Sequence, residues 1–366
     1  MIKKILKKNI PELLNDNKFW SNSFLSITKH RLYSHYLNPC LDDNDVVLLL
    51  ALKNGEIVGY MGVFVDYINI EKKNVKVGWL STWWVHQKTK GSGIGRSLLI
   101  SMYESFKGRI GVSQFTPLAK RVYDRSGYFQ TLQKNYGYKF VFRSNLDVVF
   151  PLINNKFNRV RGLLSFFDFI LNIPINIKIV FHKINLKINK DIKLEYVNSI
   201  DKNLNDFIEK HSSNYLSKKN INFFNWLKAY HWVQESPLKS YTTYKDYFFS
   251  MNSEKFNIYF LKIYKLSELI GFLVLQRKDH QLKVLFVYYD KSYSNYISKI
   301  ILLHCFKLKV KELICYDDQI NIKIKHSFNF IYYRSRLKES IISKKFGDID
   351  FSKYNINLGD GDCCFA

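Results

Sequence analysis

Three glycines occupy alternate positions, Gly91, Gly93 and Gly95, between two stretches of different periodicity. Residues 77–85 are apolar and aromatic and predict a strand, whereas residues 97–106 have apolar side chains at helical spacing. Glycine adopts dihedral angles that other residues avoid, and the unpaired N–H groups at a helix start attract anions. The pattern therefore predicts a phosphate-binding loop. Its spacing differs from the Gly-x-Gly-x-x-Gly fingerprint of dinucleotide-binding folds.

A second pattern follows the strand-like residues 109–115. Its members are Thr116, Ala119, Tyr123, Gly127 and Tyr128. Together with residues 90–95, it resembles the GNAT superfamily of acyl-CoA N-acyltransferases. The cofactor loop of that superfamily is Arg/Gln-x-x-Gly-x-Gly/Ala, and its later signature is Asn-x-x-Ala-x-x-x-Tyr-x-x-x-Gly-Phe. In this chain Lys90 takes the first loop position, and Thr116 and Tyr128 replace the Asn and the Phe.

The resemblance implies a binding site for acetyl-CoA or another acyl-CoA. The backbone amides of residues 90–95, with Arg96 nearby, would hold the pyrophosphate. Residues 85–87 would pair with the pantetheine arm and donate an N–H group to the thioester carbonyl. The cofactor-binding residues that the resemblance implies are Val85, His86, Gln87, Lys90, Gly91, Ser92, Gly93, Ile94, Gly95, Arg96 and Thr116.

The resemblance also gives Tyr123 the position of the family's general acid, where a phenol can protonate a leaving thiolate. The alternative is that Tyr123 is a core residue of an amphipathic helix. Many family members carry a Glu on the cofactor strand as the base, but residues 79–85 contain no carboxylate. Ser81 and Thr82 could instead order a water molecule. The two tryptophans that follow fit either packing or a wall on which a sugar stacks.

Two aspartates near the end of the chain, Asp360 and Asp362, alternate with glycines. A flexible acidic tail is one interpretation. The other is that these carboxylates are drawn towards a positively charged site in a strongly basic protein. In that case Asp360 or Asp362 would lie near Tyr123, bind the acceptor amine and help to deprotonate it.

The 366 residues include 56 Lys and Arg against 31 Asp and Glu, which gives a net charge of +25. Such an excess favours an anionic partner, although a Lys- and Asn-rich codon bias would give the same composition. The five cysteines show no metal-ligand spacing, so we predict no metal site, and they fit a reducing cytoplasm. No signal peptide is evident.

The first half of the chain predicts a mixed order of elements. Residues 9–39 are helical in pattern, and residues 46–52 and 57–65 form two apolar runs around an Asn-Gly turn, which is typical of a β-hairpin. Residues 136–143 and 146–150 predict a second hairpin that closes the first domain.

The second half repeats part of the first. Residues 258–275 resemble the hairpin at 47–64, with Glu268 and Gly271 aligned to Glu56 and Gly59 at one common offset. A strand at 283–289 and a helix at 296–306 follow, but residues 290–295 between them contain no glycine. We therefore predict a degenerate copy that does not bind CoA.

The expected fold class is α+β, with two tandem GNAT-like domains, each a mostly antiparallel central sheet flanked by helices. The predicted ranges are 1–150 for the domain with the acyl-CoA loop, 151–190 for a basic and aromatic linker, and 191–366 for the degenerate domain with its acidic tail. The linker is either packed between domains or an amphipathic helix on an anionic membrane. A spanning helix is not expected, because polar residues interrupt the apolar run. The predicted location is the cytoplasm, with the inner membrane face as a peripheral site.

Softer patterns resemble tandem GNAT proteins of bacterial surface-polysaccharide synthesis: residues 30–39, 223–237 and 359–362. They imply an amino sugar as acceptor, linked to a nucleotide or a lipid. One alternative is an acetyltransferase for a protein or RNA-associated amine, but the basic residues are dispersed and no RNA-binding motif is present, so nucleic acid is not favoured. Another is an aminoacyl transferase that builds peptidoglycan bridges, against which the intact CoA loop argues.

Overall fold

The computed structural model describes residues 1–22, 25–89, 91–186, 189–235 and 252–365. Within these ranges, strands and helices alternate along the chain in the way that mixed α and β proteins show. The strands are β1 (Ile2–Leu6), β2 (Val46–Lys53), β3 (Glu56–Ile70), β4 (Lys73–Val85), β5 (Ile110–Val112), β6 (Phe129–Val141), β7 (Ile192–Val197), β8 (Gln234–Glu235), β9 (Asn252–Ser253), β10 (Phe256–Lys265), β11 (Glu268–Lys278), β12 (Gln281–Tyr289), β13 (Glu312–Cys315) and β14 (Tyr332–Ser343).

The helices connect these strands or precede them. They are α1 (Ile10–Asn15), α2 (Asn17–Trp20), α3 (Lys29–Tyr36), α4 (Ile94–Ser105), α5 (Pro117–Ser126), α6 (Leu146–Ile153), α7 (Arg161–Asn185), α8 (Lys202–His211), α9 (Ile221–Ala229), α10 (Ser294–Lys307) and α11 (Asp318–Ser327). Short 3₁₀ turns include Gln87–Thr89 before α4, Lys291–Tyr293 before α10 and Gly361–Phe365 near the end of the chain.

The chain forms two compact units that are discontinuous in sequence. Unit 1 consists of Met1–Asn135, Asn198–Phe256 and Lys338–Ala366, and unit 2 consists of Tyr136–Val197 and Asn257–Leu337. The units therefore cross the boundaries at 150 and 190 that the sequence suggested, because two segments of the second half belong to unit 1.

Unit 1 is built on a mostly antiparallel sheet. Its strands follow the order β1-β2-β3-β4-β5-β14, and β4 and β5 form the parallel pair. The apolar face of α4, with Leu98, Leu99 and Met102, packs into the same core as β2 and β3. The hairpin predicted at 46–65 is confirmed, with Gly55 in the left-handed region at its turn (φ 83°).

Unit 2 has a core of its own, which packs on its own run of strands. The strand order is β6-β13-β12-β11-β10-β7, and again one pair, β12 and β13, is parallel. The predicted strand at 283–289 and helix at 296–306 are confirmed as β12 and α10. Buried residues of α10 and α11 pack together in this core.

The last strand of each repeated segment pairs away from its own segment. β6 follows α5 in sequence, yet its residues Tyr138–Val141 pair with β13 in unit 2. β14 follows α11, yet its residues Ile341 and Ile342 pair with β5 in unit 1. The mostly antiparallel sheets with flanking helices confirm the expected α+β class.

The second predicted hairpin is wrong, because residues 146–150 lie in helix α6. A run of apolar residues fits a strand or a buried helix equally well. The Asp168 carboxylate decides between them, since it accepts the backbone N–H groups of Leu146 at 2.8 Å and Asp147 at 3.0 Å. These two groups have no partner within the first turn of a helix, so the carboxylate stabilises the start of α6.

Candidate active site

The glycine loop leads from β4 into α4 as predicted. Gly91 and Gly93 have positive φ angles of 83° and 79°, and Gly93 is the N-cap of α4 without any side-chain hydrogen bond. A Cβ atom at either position would meet nothing within 4 Å, so the loop is open on that side. At Gly95 a Cβ atom would lie 3.3 Å from the Trp83 ring. Lys90 falls outside the described residues.

Local hydrogen bonds hold the residues before the loop. The Thr89 hydroxyl donates to the His86 carbonyl at 2.8 Å, and the Ser92 hydroxyl donates to the Thr89 carbonyl at 2.6 Å. The His86 ring accepts the Lys88 N–H at 3.1 Å. These bonds leave the first N–H groups of α4, from Ile94 onward, at an uncapped and exposed helix start, which is suited to binding a phosphate.

β4 carries a bulge and then diverges from β5. Gly62 pairs with Thr82 and Val63 pairs with Leu80, so Ser81 is an extra residue on β4. The β4–β5 ladder includes Gly78 and Trp79 on β4 and, in the described part of the chain, goes no further. Beyond Trp79, the side of β4 that faces away from β3 therefore has no strand partner in the described residues, and we call this unpaired side the gap.

Backbone donors line this gap. The His86 N–H donates to the Val58 carbonyl of β3 at 2.9 Å. Because successive N–H groups of a strand point to opposite sides, those of Val85 and Trp83 point away from β3 and into the gap. Of residues 85–87, to which the family resemblance assigns an N–H donor, Val85 has its N–H group on this side, whereas that of His86 is bonded to β3.

Tyr123 lies on α5 beside the same strand. Its ring is buried and lies 5.4 Å from the Trp83 ring, between centroids. Thr116 accepts the Ala119 N–H at 3.2 Å as the N-cap of α5, and Gly127 ends the helix in the left-handed region (φ 73°). The signature residues therefore fix the two ends of the helix that carries Tyr123.

The end of the chain reaches the point where β4 and β5 diverge. The turn Gly361–Phe365 packs against β3 and β4, and the Ser113 hydroxyl, just after β5, donates a short hydrogen bond to the Asp362 carboxylate. Gly361 is required there, because its φ is 69° and a Cβ atom would lie 2.7 Å from that of Ser113. Phe365 stacks on Trp232 at 3.9 Å and anchors the turn.

The charges around Asp362 suit a proton acceptor. Burial raises the pKa of the Asp362 carboxyl to about 6, against the lowering effects of the Ser113 hydrogen bond and of the Arg31 and Lys338 charges. Burial also raises the pKa of the Tyr123 phenol, and the negative charge of Asp362 raises it further. At neutral pH the carboxyl is therefore mostly ionised and the phenol protonated.

Arg31 brings a buried positive charge to this site. Its guanidinium donates to the Ser81 hydroxyl at 2.5 Å and lies 3.9 Å from the centre of the Trp232 ring. Ser81 is the bulge residue of β4, so the bulge directs a hydroxyl towards Arg31. The arginine electrostatically favours the ionised form of Asp362.

Asp360 occupies a different environment in unit 1. It is 4% exposed, and its Oδ2 accepts the Asn357 N–H at 2.7 Å, while its Oδ1 is buried without a hydrogen-bond partner. Burial raises the pKa of its carboxyl to about 7, Asp66 raises it further, and the Lys219 charge lowers it. Lys219 itself forms a buried ion pair with Asp66.

The sequence did not reveal three members of this site, Arg31, Ser113 and Lys338. Ser113 had one local signal, since a polar residue ends an apolar strand next to the second motif. Arg31 lies in the pattern at 30–39 but nothing marked it for this site, and Lys338 had no signal, because their partners lie far away in the sequence.

The site defines a class of enzyme. An uncapped helix start with open glycines fits a pyrophosphate, the N–H groups of β4 fit a pantetheine arm, and a phenol and a carboxylate lie beside them. Residues 10–128 match the model of the acetyltransferase (GNAT) family. The chain therefore contains a GNAT acetyltransferase domain, a type of N-acyltransferase enzyme that uses acyl-CoA donors.

Several solved structures are similar to this chain at low sequence identity. A GCN5-related N-acetyltransferase from Kribbella flavida matches with a TM-score of 0.50 and 8% identity, over 93% of this chain and 70% of that chain. A conserved protein from Enterococcus faecalis V583, described as a probable N-acyltransferase, matches with a TM-score of 0.50 and 8% identity, over 94% and 72%. A tandem GNAT protein from the clavulanic acid biosynthesis pathway matches with a TM-score of 0.48 and 8% identity, over 96% and 99%. No curated protein sequence matches the chain.

Proposed function

We propose that this protein transfers an acyl group from acyl-CoA to the amine of an amino sugar in a surface-polysaccharide precursor, and that the acyl group is acetyl. The observation that carries the proposal is the position of Asp362. Its carboxylate lies within electrostatic reach of Tyr123, at the point where β4 and β5 diverge.

The cofactor would lie along β4 and end at the glycine loop. The N–H groups from Gly93 to Arg96 would hold the pyrophosphate, and those of Trp83 and Val85 would face the pantetheine arm and the acyl carbonyl. The bound acyl-CoA supplies a thioester, which reacts with an amine to give an amide and a free thiol.

Two side chains of unit 1 would move the protons. Asp362 accepts a proton from the acceptor nitrogen, because a carboxylate with a pKa of about 6 is a stronger base than an ordinary one and is still ionised at neutral pH. Tyr123 donates its proton at the sulfur atom, for which its raised pKa keeps it protonated. Ser113 and Arg31 hold Asp362 in place and in its ionised form.

The acceptor class rests on aromatic surface and charge. Trp83 and Trp84 are partly exposed at the end of β4 and can stack on a sugar ring. The net charge of +25 suits a phosphate-bearing acceptor, whether nucleotide-linked or lipid-linked.

The test is an acceptor panel in which thiol release from acetyl-CoA is measured. The panel contains a nucleotide-linked amino sugar, a free amino sugar, a lysine peptide and transfer RNA, with the Asp362→Asn variant as the control for background hydrolysis. We expect release above this control with the amino sugars, and most with the phosphate-bearing one. Release with the peptide or the RNA alone would contradict the proposed acceptor.

A further inference from the structure

Helix α7, which belongs to unit 2, presents a polar face to the rest of that unit. Asp168 accepts hydrogen bonds from the Ser144 hydroxyl at 2.5 Å and from two N–H groups of α6. One turn later, Asn172 accepts the Ser144 N–H at 2.8 Å, and after another turn Asn176 accepts the Arg143 Nε–H at 2.9 Å. Three successive turns are therefore bonded to unit 2 through polar groups.

Apart from Ile175 and Ile179, which pack in the core of unit 2, most of the remaining surface of α7 is apolar and exposed. Between Arg161 and Lys178 the only charged residue is Asp168, which faces inward, so about 24 Å of helix presents no charge outward. An ordinary surface helix instead places its apolar face towards the core and its polar face towards solvent. The exposed large apolar residues of α7 are Leu163, Phe166, Phe167, Phe169, Ile170, Leu171, Ile173, Ile177, Val180, Phe181 and Ile184.

Basic residues flank this apolar face. Residues 151–190 contain seven Lys or Arg and one Asp. Lys156, Arg159 and Arg161 precede the uncharged stretch, and Lys178 and Lys183 follow it, all of them exposed. Pairing with a second copy would bring these cations together in either orientation, whereas anionic headgroups would neutralise them.

We propose that α7 docks unit 2 on an anionic phospholipid bilayer, with the helix lying in the plane of the surface. Residues Asn155–Ile184 are long and apolar enough to cross a membrane by length and composition. Crossing would expose Asp168, Asn172 and Asn176 to lipid and break their bonds to unit 2. An interfacial helix keeps these bonds and buries the apolar face in the headgroup and acyl boundary. The proposal does not depend on the proposed function.

The test is flotation of the full chain with vesicles of phosphatidylcholine, alone or with phosphatidylglycerol. We expect binding to the anionic vesicles that weakens as salt is raised. The triple variant Phe166→Ser, Phe169→Ser and Phe181→Ser, at positions 58% to 68% exposed, should bind roughly 10²–10³-fold more weakly, at about tenfold for each ring. The matched control is Tyr136→Ser, Leu266→Ser and Phe328→Ser, at positions 62% to 76% exposed in unit 2, which should bind like the unchanged protein.

Any of the following results would overturn the proposal. The first is that the unchanged chain does not float with anionic vesicles, or that the control triple variant loses as much binding. The second is a lipid-free dimer that the phenylalanine variant abolishes, which would make a second copy the occupant. The third is resistance to extraction at alkaline pH, which would indicate a spanning helix. Quenching of a Phe169→Trp variant by lipids brominated near the headgroup, above that of the unchanged protein, would support the in-plane position.

Discussion

Two segments of this protein share a fold but not a chemistry. The first repeat runs from β2 to α5 and the second from β10 to α11. In each, a glycine lies opposite the helix that follows the third strand: a Cβ atom at Gly59 would lie 3.1 Å from Ile94, and one at Gly271 would lie 2.8 Å from Ile297. Backbone packing has therefore been kept in both.

The bulge and the helix ends are also shared. Ser81 is the extra residue on β4 and Leu285 the extra residue on β12. α5 ends at Gly127 (φ 73°), and α11 ends at Phe328, whose left-handed conformation (φ 49°) is uncommon for a bulky side chain. The second repeat thus has the same left-handed backbone conformation at this helix end without the glycine that adopts it readily.

The chemistry differs at the bulge, on the last helix of each repeat and in the segment before the helix that follows the third strand. The bulge residue bonded to Arg31 in the first repeat is a buried leucine in the second. Tyr123 and Ile324 lie the same number of residues after their N-caps. In the 3₁₀ turn before α10, the Asp290 carboxylate accepts the Ser292 N–H at 2.8 Å, where the His86 ring accepts the Lys88 N–H in the first repeat, so a negative charge replaces an imidazole there. A fold is specified by buried apolar contacts, whereas a site depends on a few polar groups that can be lost separately.

The largest expected effect tests whether the glycine loop is the reason that the first repeat, and not the second, binds CoA. In Gly93→Val a branched side chain at φ 79° would cover the N–H groups at the start of α4. Losing two hydrogen bonds to a charged group, at about 1.5–3 kcal/mol each, lowers CoA affinity by roughly 10²–10⁴-fold. Calorimetry measures this loss directly. Gly347→Val is the control, because Gly347 has a similar φ of 82° and open space outside the loop. Equal CoA affinity in both variants would remove the loop from the cofactor site.

The next test concerns Asp362, the carboxylate that unit 1 places near the Tyr123 phenol. Asp362→Asn keeps the shape and should lower kcat by about 10³-fold. Because the pKa of Asp362 is about 6, the activity of the unchanged enzyme should fall as pH drops through 6, where the carboxyl becomes protonated. The variant should lack this acidic limb. Asp360→Asn, at the buried neighbouring aspartate, should retain it, and the reverse pattern would move the base to Asp360.

A smaller loss is expected at Tyr123, the position that is isoleucine in the second repeat. Tyr123→Phe should lower kcat by about 10²-fold with CoA affinity retained, because a general acid acts in the transition state. The effect is at the low end of the range because a thiolate, with a conjugate-acid pKa of about 8.5, leaves readily. Tyr103→Phe, whose ring stacks on Tyr128 at 4.1 Å, is the matched control. Unchanged turnover in Tyr123→Phe would make Tyr123 a packing residue.

The elements of both repeats could be predicted because their signals are local. The hairpin at 46–65, the glycine loop and α10 each follow from periodicity and turn residues within a short window. Residues 146–150 could not be assigned, because the carboxylate that stabilises α6 comes from Asp168 on another helix. The exchange of β6 and β14 had no local signal either, since strand partners are chosen over long sequence distances.

The residues of the candidate site also fall into those that a local pattern marks and those that it does not. The sequence indicated the loop, Tyr123 and the two aspartates, because residue type and spacing marked them. It could not indicate that Ser113 would bond Asp362 or that Arg31 would bond Ser81, because each pair joins distant segments of the chain. Such contacts follow from tertiary packing, which no pattern along the chain records.

The smallest expected effect comes from the second repeat, where we predict no change. Asp290→Gly removes the carboxylate that accepts the Ser292 N–H in the 3₁₀ turn before α10 and places a glycine between β12 and that helix. If the negative charge alone kept acyl-CoA away, the variant would gain a second site. We expect calorimetry to give one CoA per chain before and after the change, because Leu285 fills the bulge and one glycine does not replace the three of the loop. A stoichiometry of two would mean that a single substitution gives the second repeat a CoA site. The differences at Leu285 and Ile324 would then not be what prevents binding.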